Sequence, residues 1–269
     1  MSISTKFVGQ IGNNLCQFVI GKLLADKTGL QYRAPRYFVD KRRRPVTWSQ
    51  SPLLVPEGAA GRVATGRPQD IYANHWIDLD GIDPDRPVNI HYGYFQRYEL
   101  MKPYKERIRT EWLKLRTSFL DTDDDAVYVH VRRTDYVNRP PHMGHSIDEY
   151  GSCLNEFPDA KRIVVVTDGP NDPFISEFGR FGKPWEINLK PWDVDWLTLM
   201  SCRSMVMSQS TFSWWAAFLG RAEKIVCPMF PGTFWHSGME SHGITGQEFP
   251  NLCVDDEPDR WIWKTDDLT

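Results

Sequence analysis

Two adjacent arginines directly follow an apolar, strand-like run near the middle of the chain. Residues 126–131 read AVYVHV, and Arg132, Arg133, Thr134 and Asp135 come next. A guanidinium group stays charged at any physiological pH and can hold two oxygens of a phosphate at once. The arginine pair therefore predicts a site for a phosphate or pyrophosphate at the end of this strand.

The two guanidinium groups are not expected to reach one ligand by the same route, because adjacent side chains of a strand point to opposite faces. One arginine is expected to contact phosphate and the other a carboxylate, with Asp135 as the nearest candidate in the sequence. A second interpretation is also open, in which both arginines form ion pairs at an interface between domains. Spacing alone does not decide between the two.

Polar residues also follow two later apolar runs. Thr167, Asp168 and Gly169 follow RIVVV, and SQST at 208–211 follows SMVM directly before a helical pattern. The carboxyl ends of parallel strands meet at one edge of an open α/β sheet, where ligands bind, and the N-terminus of a helix attracts anions. We expect these residues to join the arginines in one anion site.

The elements that position these residues follow a βαβ order in the C-terminal half. Strands are predicted at 126–132, 162–168, 204–210 and 224–228, with helical segments between them around 147–157, 194–203 and 212–220. Near-continuous apolar strands are typical of a parallel sheet that is covered on both faces. The alternation of strands and helices predicts a doubly wound α/β domain.

The N-terminal half begins with a similar but weaker pattern. A short strand, TKFVG, runs into the Gly/Asn turn GQIGNN at 9–14, and an amphipathic helix is predicted from residue 15 to Gly29. Another strand is predicted at 88–95, with mainly helix beyond it. The acidic run DTDDD at 121–125 contains no apolar side chain, so it marks a boundary. The predicted domains are residues 1–120 and 121–269.

The composition excludes several classes of function. The chain has 269 residues and a net charge of −3, so neither nucleic acid nor anionic lipid is an expected partner of the whole surface. No apolar run is long enough to span a membrane, and the N-terminus lacks the apolar core of a signal peptide, which predicts a cytoplasmic protein. The five cysteines are scattered and form no CxxC pair, which argues against a zinc site or a disulfide framework.

Three further features of the sequence are weaker signals. The basic run Arg42, Arg43, Arg44 is either a solvated loop or a contact to a phosphate or a membrane-borne acceptor. Aromatic residues between 30 and 120 either pack in the core or stack on sugar rings; they include Trp48, Tyr72, Trp76 and Tyr94. Several Asp-x-Asp triplets occur, but none follows an apolar strand, so no metal site is expected.

Several of these motifs occur together in one known family. HVRRTDY at 130–136 resembles the HxRRxD motif of fucosyltransferases, and GQIGNNLCQFVIGKLLA at 9–25 is similar to the opening pattern of the α-1,2-fucosyltransferases. GYFQ at 93–96 and VVTDGP at 165–170 have counterparts there, and LMSCRSMVMSQSTFSWWAAFL at 199–219 is similar to the C-terminal signature of the family. Because the pieces follow family order along most of the chain, the sequence resembles the α-1,2-fucosyltransferase family.

This resemblance implies a GT-B-like α/β fold, in which two Rossmann-like doubly wound domains face each other across a cleft. It implies that the C-terminal domain binds GDP-β-L-fucose and that the N-terminal domain lies on the acceptor side. Fucose would move to a glycan hydroxyl with inversion, forming an α-1,2 link, with no cofactor and no obligatory metal. Two alternatives are open: the same fold with another GDP-sugar, or a non-catalytic module that binds a nucleotide or a glycan.

The resemblance also assigns roles to single residues. Arg132 would contact the β-phosphate of GDP, and Asn13 would close over the donor near the reacting carbon, so these two are the expected catalytic residues. The expected donor-binding residues are Gly12, His130, Arg133, Asp135, Thr167, Asp168, Ser210, Thr211 and Phe212.

The chain departs from the family at several of its motif positions. Asn14 stands where the family usually has Gln, Thr134 where it has Gly, Gly169 where it has Asp, and Gln209 where Asn is common. In the related α-1,6 branch a candidate catalytic glutamate lies downstream of the arginines, but the corresponding residue here is Pro140. The resemblance therefore names no general base.

Overall fold

The structure, a computed structural model, describes residues 2–39, 45–55, 58–72, 77–136, 144–229 and 252–264. The chain divides into two compact units, Met1–Thr117 and Ser118–Thr269. The acidic run predicts a boundary after residue 120, close to this division. The roles that the resemblance gives to the two parts, and their arrangement across a cleft, stay predictions.

The N-terminal unit is built on a mostly parallel sheet. Its strands are β1 (Ile3–Thr5), β2 (Tyr32–Arg33), β3 (Tyr37–Val39), β4 (Pro45–Thr47), β5 (Leu53–Leu54), β6 (Gly58–Ala59), β7 (Gln69–Tyr72), β8 (Val88–Tyr92) and β9 (Lys114–Leu115). The five-stranded sheet has the order β6-β2-β1-β8-β7 and is parallel except at β6. The pairs β3–β4 and β5–β9 form two small antiparallel sheets.

The helices of this unit are one long segment and a series of short turns. They are α1 (Ile11–Thr28), a 3₁₀ turn (Trp48–Gln50), α2 (Tyr98–Met101), a second 3₁₀ turn (Lys102–Tyr104), α3 (Lys105–Arg107) and a π-helical turn (Ile108–Trp112). Helix α1 ends because Gly29 adopts the left-handed conformation, and its amide donates to the carbonyl of Ala25. The mainly helical segment expected beyond β8 is therefore present, broken into short pieces.

The N-terminal strand and helix both begin earlier than the sequence pattern predicts. Strand β1 covers Ile3–Thr5 rather than TKFVG, and α1 starts at Ile11, so most of the expected GQIGNN turn is helical. Asn14 and Gln17 are fully buried inside this helix. They are tolerated there because both amides bond to the main chain of Val8, at 3.0 to 3.2 Å.

The C-terminal unit contains a six-stranded, fully parallel sheet. Its strands are β10 (Ala126–Val131), β11 (Arg162–Thr167), β12 (Trp185–Ile187), β13 (Ser204–Val206), β14 (Lys224–Pro228) and β15 (Trp261–Lys264). The strand order is β12-β11-β10-β13-β14-β15, which places the third, second and first strands of the unit before the fourth, fifth and sixth. This is the doubly wound order, whose direction reverses between β10 and β13. The expected α/β class with parallel sheets is confirmed.

Helices connect these strands and cover the sheet. They are α4 (Ile147–Leu154), a 3₁₀ segment (Pro173–Phe181), α5 (Trp192–Ser201) and α6 (Thr211–Leu219). All six residues of β10 are buried, as expected for a strand covered on both faces. The four strands predicted here are present, although β13 ends after Val206, and β12 and β15 are additional. Within the ranges described above, no helix is both long and apolar enough to cross a membrane.

Candidate functional site

Arg132 lies where β10 ends and is held by two carboxylates. Its Nε lies 2.8 Å from Oδ1 of Asp135, and its Nη1 lies 3.2 Å from Oδ2 of Asp168, which follows the neighbouring strand β11. The guanidinium group also lies over the ring of Tyr136, at 5.6 Å. Burial opposes the charge, but the two carboxylates outweigh it and raise the pKa of Arg132. The arginine is therefore a fixed cation at the sheet edge.

Arg133 contacts a different set of residues. Its Nε and Nη2 bond to the two carboxylate oxygens of Asp172, at 2.8 and 3.2 Å, and its guanidinium group lies 4.4 Å from the ring centre of Phe174. The expected pairing of an arginine with Asp135 is present, but the arginine is Arg132, and Arg133 pairs with Asp172 instead. The strand ends at Val131, so the alternation of side chains no longer applies to the two arginines.

Gly169 allows Arg133 to take this position. A Cβ at residue 169 would lie only 2.9 Å from the Cβ of Arg133, which is too close for two carbons. An aspartate at position 169, which the family usually has, would therefore clash with Arg133 in its present position. Asp172, three residues further on, supplies the carboxylate that Arg133 binds.

Asp168 connects the ends of β10 and β11. Its Oδ1 accepts hydrogen bonds from the amides of Arg133 and Thr134, at 2.8 and 3.2 Å, and its Oδ2 accepts one from the Thr134 hydroxyl at 2.5 Å. Burial acts to raise its pKa, but the charge of Arg132 and these hydrogen bonds prevail and lower it. The carboxylate therefore stays ionised and fixes the turn that carries the arginines.

His130 joins β10 to β13 at the point where the strand order reverses. Its Nδ1 lies 2.6 Å from Oγ of Ser208, and its ring lies 5.4 Å from that of Phe212. Burial lowers the pKa of His130 to about 3; the charge of Asp168 opposes this shift and that of Arg132 adds to it. The imidazole is therefore neutral at physiological pH, so it can hold a ligand only through hydrogen bonds or packing.

The N-terminus of α6 is attached to the same sheet edge. Ser210 caps the helix and accepts from the amide of Phe212 at 3.3 Å, while Thr211 is its first residue. The hydroxyl of Tyr136 donates to the carbonyl of Gln209 at 3.0 Å, which ties this turn to the turn after β10. Because the first amides of a helix attract anions, this turn adds a second anion-binding element beside Arg132.

Asn13 and Gly12 lie in the N-terminal unit, within the first turn of α1. The carboxamide Oδ1 of Asn13 accepts a hydrogen bond of 2.8 Å from Nε2 of Gln96, a buried residue of the GYFQ segment. Gly9 has a φ of +79°, and a Cβ there would lie 2.3 Å from Nδ2 of Asn13. The asparagine is therefore positioned by a glycine on one side and by Gln96 on the other.

The turn that carries Gln96 is itself held in an unusual conformation. Phe95 has a φ of +49°, which is uncommon for a residue with a side chain, and it is fully buried. The amide Nε2 of Gln17 donates to the carbonyl of Gly93 at 2.7 Å, so α1 and this turn are joined directly. Such a strained turn persists only where its surroundings fix it.

The structure thus sorts the residues predicted from the sequence into two groups. The residues that it brings to one edge of the C-terminal sheet are His130, Arg132, Arg133, Asp135, Thr167, Asp168, Ser210, Thr211 and Phe212. Thr167 ends β11, and its hydroxyl accepts from the amide of Gly169 at 3.1 Å. Gly12 and Asn13 belong to the other unit. Arg42, Arg43 and Arg44 lie outside the described residues.

The sequence analysis missed several partners of these residues. The sequence does not single out Asp172, it names no partner for Thr134 beside the arginines, Tyr136 appears only as the last residue of HVRRTDY, and Gln96 appears only as part of the GYFQ motif. That motif was the available signal for Gln96, because it directly follows a predicted strand.

The described parts of the chain hold no group of three histidine, cysteine or acidic side chains that could bind a metal ion.

One comparison with known protein families matches the family that the motifs resemble. The model of glycosyl transferase family 11, a family of fucosyltransferases, matches residues 182–233, which include β12, α5, β13, α6 and β14. A solved structure of an arginine-to-lysine mutant of Arabidopsis thaliana FUT1 in complex with GDP is 12% identical, with a TM-score of 0.43, and covers 86% of this chain and 71% of that chain. No curated protein matches the sequence. The family match confirms the resemblance to the fucosyltransferases that the motifs predicted.

Proposed function

We propose that this protein is a fucosyltransferase that moves L-fucose from GDP-β-L-fucose to a hydroxyl of a glycan. Inversion at the sugar carbon and an α-1,2 link are part of the proposal. The observation that carries it is the position of Arg132, a fixed cation at the carboxyl edge of a doubly wound sheet, beside the N-terminus of α6. The family match over residues 182–233 supports the same chemistry.

Arg132 is proposed to stabilise the leaving group. As the bond between the sugar carbon and oxygen breaks, negative charge grows on the β-phosphate of GDP, and a preorganised guanidinium binds that charge more strongly in the transition state. Asp168 is buried and is proposed to keep the guanidinium in place, whereas the Asp135 side chain is 39% exposed. The diphosphate would therefore replace Asp135 as the outer partner of Arg132.

The N-terminus of α6 is proposed to bind the rest of the diphosphate. The amides of its first turn and the hydroxyls of Ser210 and Thr211 are donors that need no metal ion. His130 is neutral and bound to Ser208, so its proposed part is to support this turn and to pack against Phe212 rather than to supply charge. Arg133 is proposed to fix the loop that carries Asp172.

Asn13 is proposed to act on the sugar side of the donor. Because its Oδ1 accepts from Gln96, the Nδ2 group is the part of the carboxamide that can donate to an oxygen of the substrate. A neutral donor at that position fits a reaction in which the sugar carbon becomes positive while the diphosphate leaves. This role does not require Asn13 to change its protonation state.

Three measurements with the intact protein test the proposal. Transfer and hydrolysis are compared with GDP-fucose, GDP-mannose and UDP-galactose, and GDP-fucose is expected to be turned over fastest. Calorimetric titration with GDP in EDTA is expected to show binding, and NMR of the product is expected to show the α-anomer. Faster turnover of another nucleotide sugar, a strict requirement for magnesium, or a β-linked product would contradict the respective part of the proposal.

A further inference from the structure

An exposed aromatic surface lies at one edge of the N-terminal sheet. Tyr72, the last residue of β7, is 73% exposed, and its ring stacks on that of His91 at 4.8 Å with an angle of 8° between the planes. Tyr92 lies opposite Tyr72 in the register of β7 and β8 and is 39% exposed. These three residues, together with Asp70, are called the Tyr72 platform below.

Hydrogen bonds hold the platform rigidly. Nε2 of His91 lies 2.7 Å from Oδ1 of Asp70, and that oxygen also accepts from Nδ2 of Asn89 at 3.1 Å. The hydroxyl of Ser4 in turn donates to Oδ1 of Asn89 at 2.8 Å. The bonds from His91 and Asn89 lower the pKa of Asp70, so it is a carboxylate at neutral pH. Three adjacent strands thus contribute to one polar row that supports the ring of Tyr72.

The pairing of β7 with β8 is irregular at the Tyr72 platform, where His91 is an extra residue of β8. The pairing of β7 with β8 shifts between Ile71 and Tyr72, so Tyr72 pairs with Tyr92 rather than with His91. The Tyr72 ring lies flat on the imidazole of this extra residue, which covers one face of the ring. Bulges commonly redirect a side chain near a binding site.

The platform also lies at the edge of the sheet where ligands are expected. Tyr72 and Tyr92 end two parallel strands, and β1, which runs parallel to β8, leads at its own carboxyl end into the turn before Asn13. In an open parallel sheet this edge carries the ligand site. The platform and Asn13 therefore belong to the same edge of the N-terminal unit.

The sequence left open whether certain aromatic residues pack in the core or stack on sugar rings, and the structure separates those that it describes. Trp48 is buried, packs on Phe38 at 4.9 Å and donates to the carbonyl of Pro35, so it belongs to the core. Tyr94 packs edge-on against Tyr92 at 5.7 Å, and Trp76 lies outside the described residues. Among the described residues of this group, Tyr72 is the one that combines a largely exposed ring with a stacked partner that holds it, so it is the candidate for stacking on a sugar ring.

We propose that the Tyr72 platform binds a pyranose ring of the acceptor glycan. The C–H face of a pyranose would pack on the exposed face of Tyr72, and its hydroxyls would donate to Asp70 at the rim of the ring. An aromatic ring with an apolar body beside a hydrogen-bonding rim suits a molecule that is itself apolar on one face and polar at its edge. The assignment to the acceptor rests on the proposed function, whereas the binding of a pyranose does not.

Saturation-transfer NMR without any nucleotide tests the binding directly. The probes are lactose, methyl β-galactoside and cellobiose, and the variants are Tyr72→Ala, Tyr72→Phe and Tyr37→Ala. Tyr37 is a matched control, because it is 54% exposed but lies on β3, in a different sheet. Tyr72→Ala is expected to weaken the binding of the preferred sugar about three- to tenfold, the range typical of one aromatic contact. Tyr72→Phe and Tyr37→Ala are expected to bind like the wild type.

Kinetics then assign the sugar to the acceptor side. For the preferred probe, Tyr72→Ala is expected to raise the acceptor KM about three- to tenfold, with unchanged hydrolysis of GDP-fucose in the absence of acceptor. Equal binding by wild type and Tyr72→Ala, or no saturation transfer from the wild type to any of the three sugars, overturns the proposal. A wild-type protein that binds a sugar through Tyr72 but never cleaves GDP-fucose refutes the proposed function and leaves the platform intact.

Discussion

The two units fix their expected site residues by different physical means. In the C-terminal unit the cluster is charged: Arg132, Arg133 and the three aspartates that pair with them lie where β10 and β11 end. In the N-terminal unit the cluster consists of neutral amides: Gln96 bonds to Asn13, and Asn14 and Gln17 bond to each other in the same helix. A charged cluster can stabilise a developing charge strongly, whereas an amide cluster fixes orientation without responding to pH.

The difference follows from what each cluster costs when it is buried. A buried charge requires a partner, and removing one member of such a pair leaves the other unpaired at a cost of about 3–5 kcal/mol. In Asp168 the cost of burying the charge is offset by hydrogen bonds, since the carboxylate accepts from two main-chain amides and one hydroxyl besides pairing with Arg132. A buried neutral amide that loses its hydrogen-bond partner costs less, about 1–3 kcal/mol. Substitutions in the two units should therefore differ in size and in kind.

Replacing Arg132 is expected to have the largest effect. Arg132→Ala removes the cation that would meet the leaving diphosphate, so kcat is expected to fall roughly 10²–10³-fold, or about 3–4 kcal/mol. Arg132→Lys keeps the charge but not the planar pair of donors and is expected to recover only a small part of kcat. Steady-state kinetics with GDP-fucose give the rates, and calorimetry gives the affinity for GDP.

Arg180→Ala is the matched control, because Arg180 forms an exposed ion pair with Asp148 in the same unit. It should keep the wild-type kcat. Circular dichroism of the Arg132 variants must show the wild-type spectrum for the comparison to hold. A folded Arg132→Ala protein with full activity would remove the central role that we propose for this residue.

The neutral state of His130 predicts a pH effect confined to the C-terminal unit. Its pKa is lowered to about 3 in the folded protein, mainly by burial, against about 6.5 in an unfolded chain. Its contribution to stability is therefore complete above pH 6.5 and declines as the pH falls toward 3, because only the unfolded chain takes up the proton. Between pH 7 and pH 5 this amounts to about 2 kcal/mol.

Urea unfolding at pH 7 and pH 5, followed by tryptophan fluorescence, measures this loss. His130→Asn is expected to lose about 2 kcal/mol less stability than the wild type over this interval, since it has no proton to bind. Ser208→Ala keeps the buried imidazole and removes only its partner, so it should be less stable yet keep the wild-type pH dependence. An identical pH dependence in His130→Asn and the wild type would show that His130 is not buried neutral.

The sequence predicted the C-terminal unit better than the N-terminal one, for a physical reason. Strands β10 and β11 are six residues long, mostly apolar and buried along nearly their whole length, so their pattern stands out. The strands of the N-terminal unit are two to five residues long, which is too short for a period to show. The start of α1 was misplaced because Gly and Asn favour turns locally, and their burial against Val8 is decided by tertiary contacts.

Site residues were predictable where a motif supplied them and not where a distant partner did. Arg132, Asp168 and Ser210 follow strands, so the rule that ligands bind at the carboxyl edge locates them. The pairs that hold them join residues far apart in the chain: Thr134 with Asp168, Arg133 with Asp172 and Asn13 with Gln96. No local pattern specifies such a pair, because the choice of partner depends on how the strand ends are arranged.

Replacing Gln96 is expected to have the smallest effect, and it gives the sharpest test of the amide cluster. If Gln96 acts by fixing the carboxamide of Asn13, then Gln96→Ala should lower kcat about two- to tenfold and leave the KM for GDP-fucose nearly unchanged. Gln96→Glu should do at least as much harm, because a carboxylate cannot donate to Oδ1 of Asn13. Gln69→Ala is the control, since that amide bonds to the loop at Asp83 and should not affect kcat.

A double-mutant cycle separates this positioning role from a general structural one. Asn13→Ala alone is expected to lower kcat more than the affinity for donor, and Gln96→Ala should add almost nothing in that background, because its effect passes through Asn13. If Gln96→Ala instead lowers kcat by the same factor with and without Asn13, the glutamine only supports the strained turn around Phe95. The amide cluster would then be a structural feature of the N-terminal unit, and the comparison with the charged cluster would no longer concern catalysis.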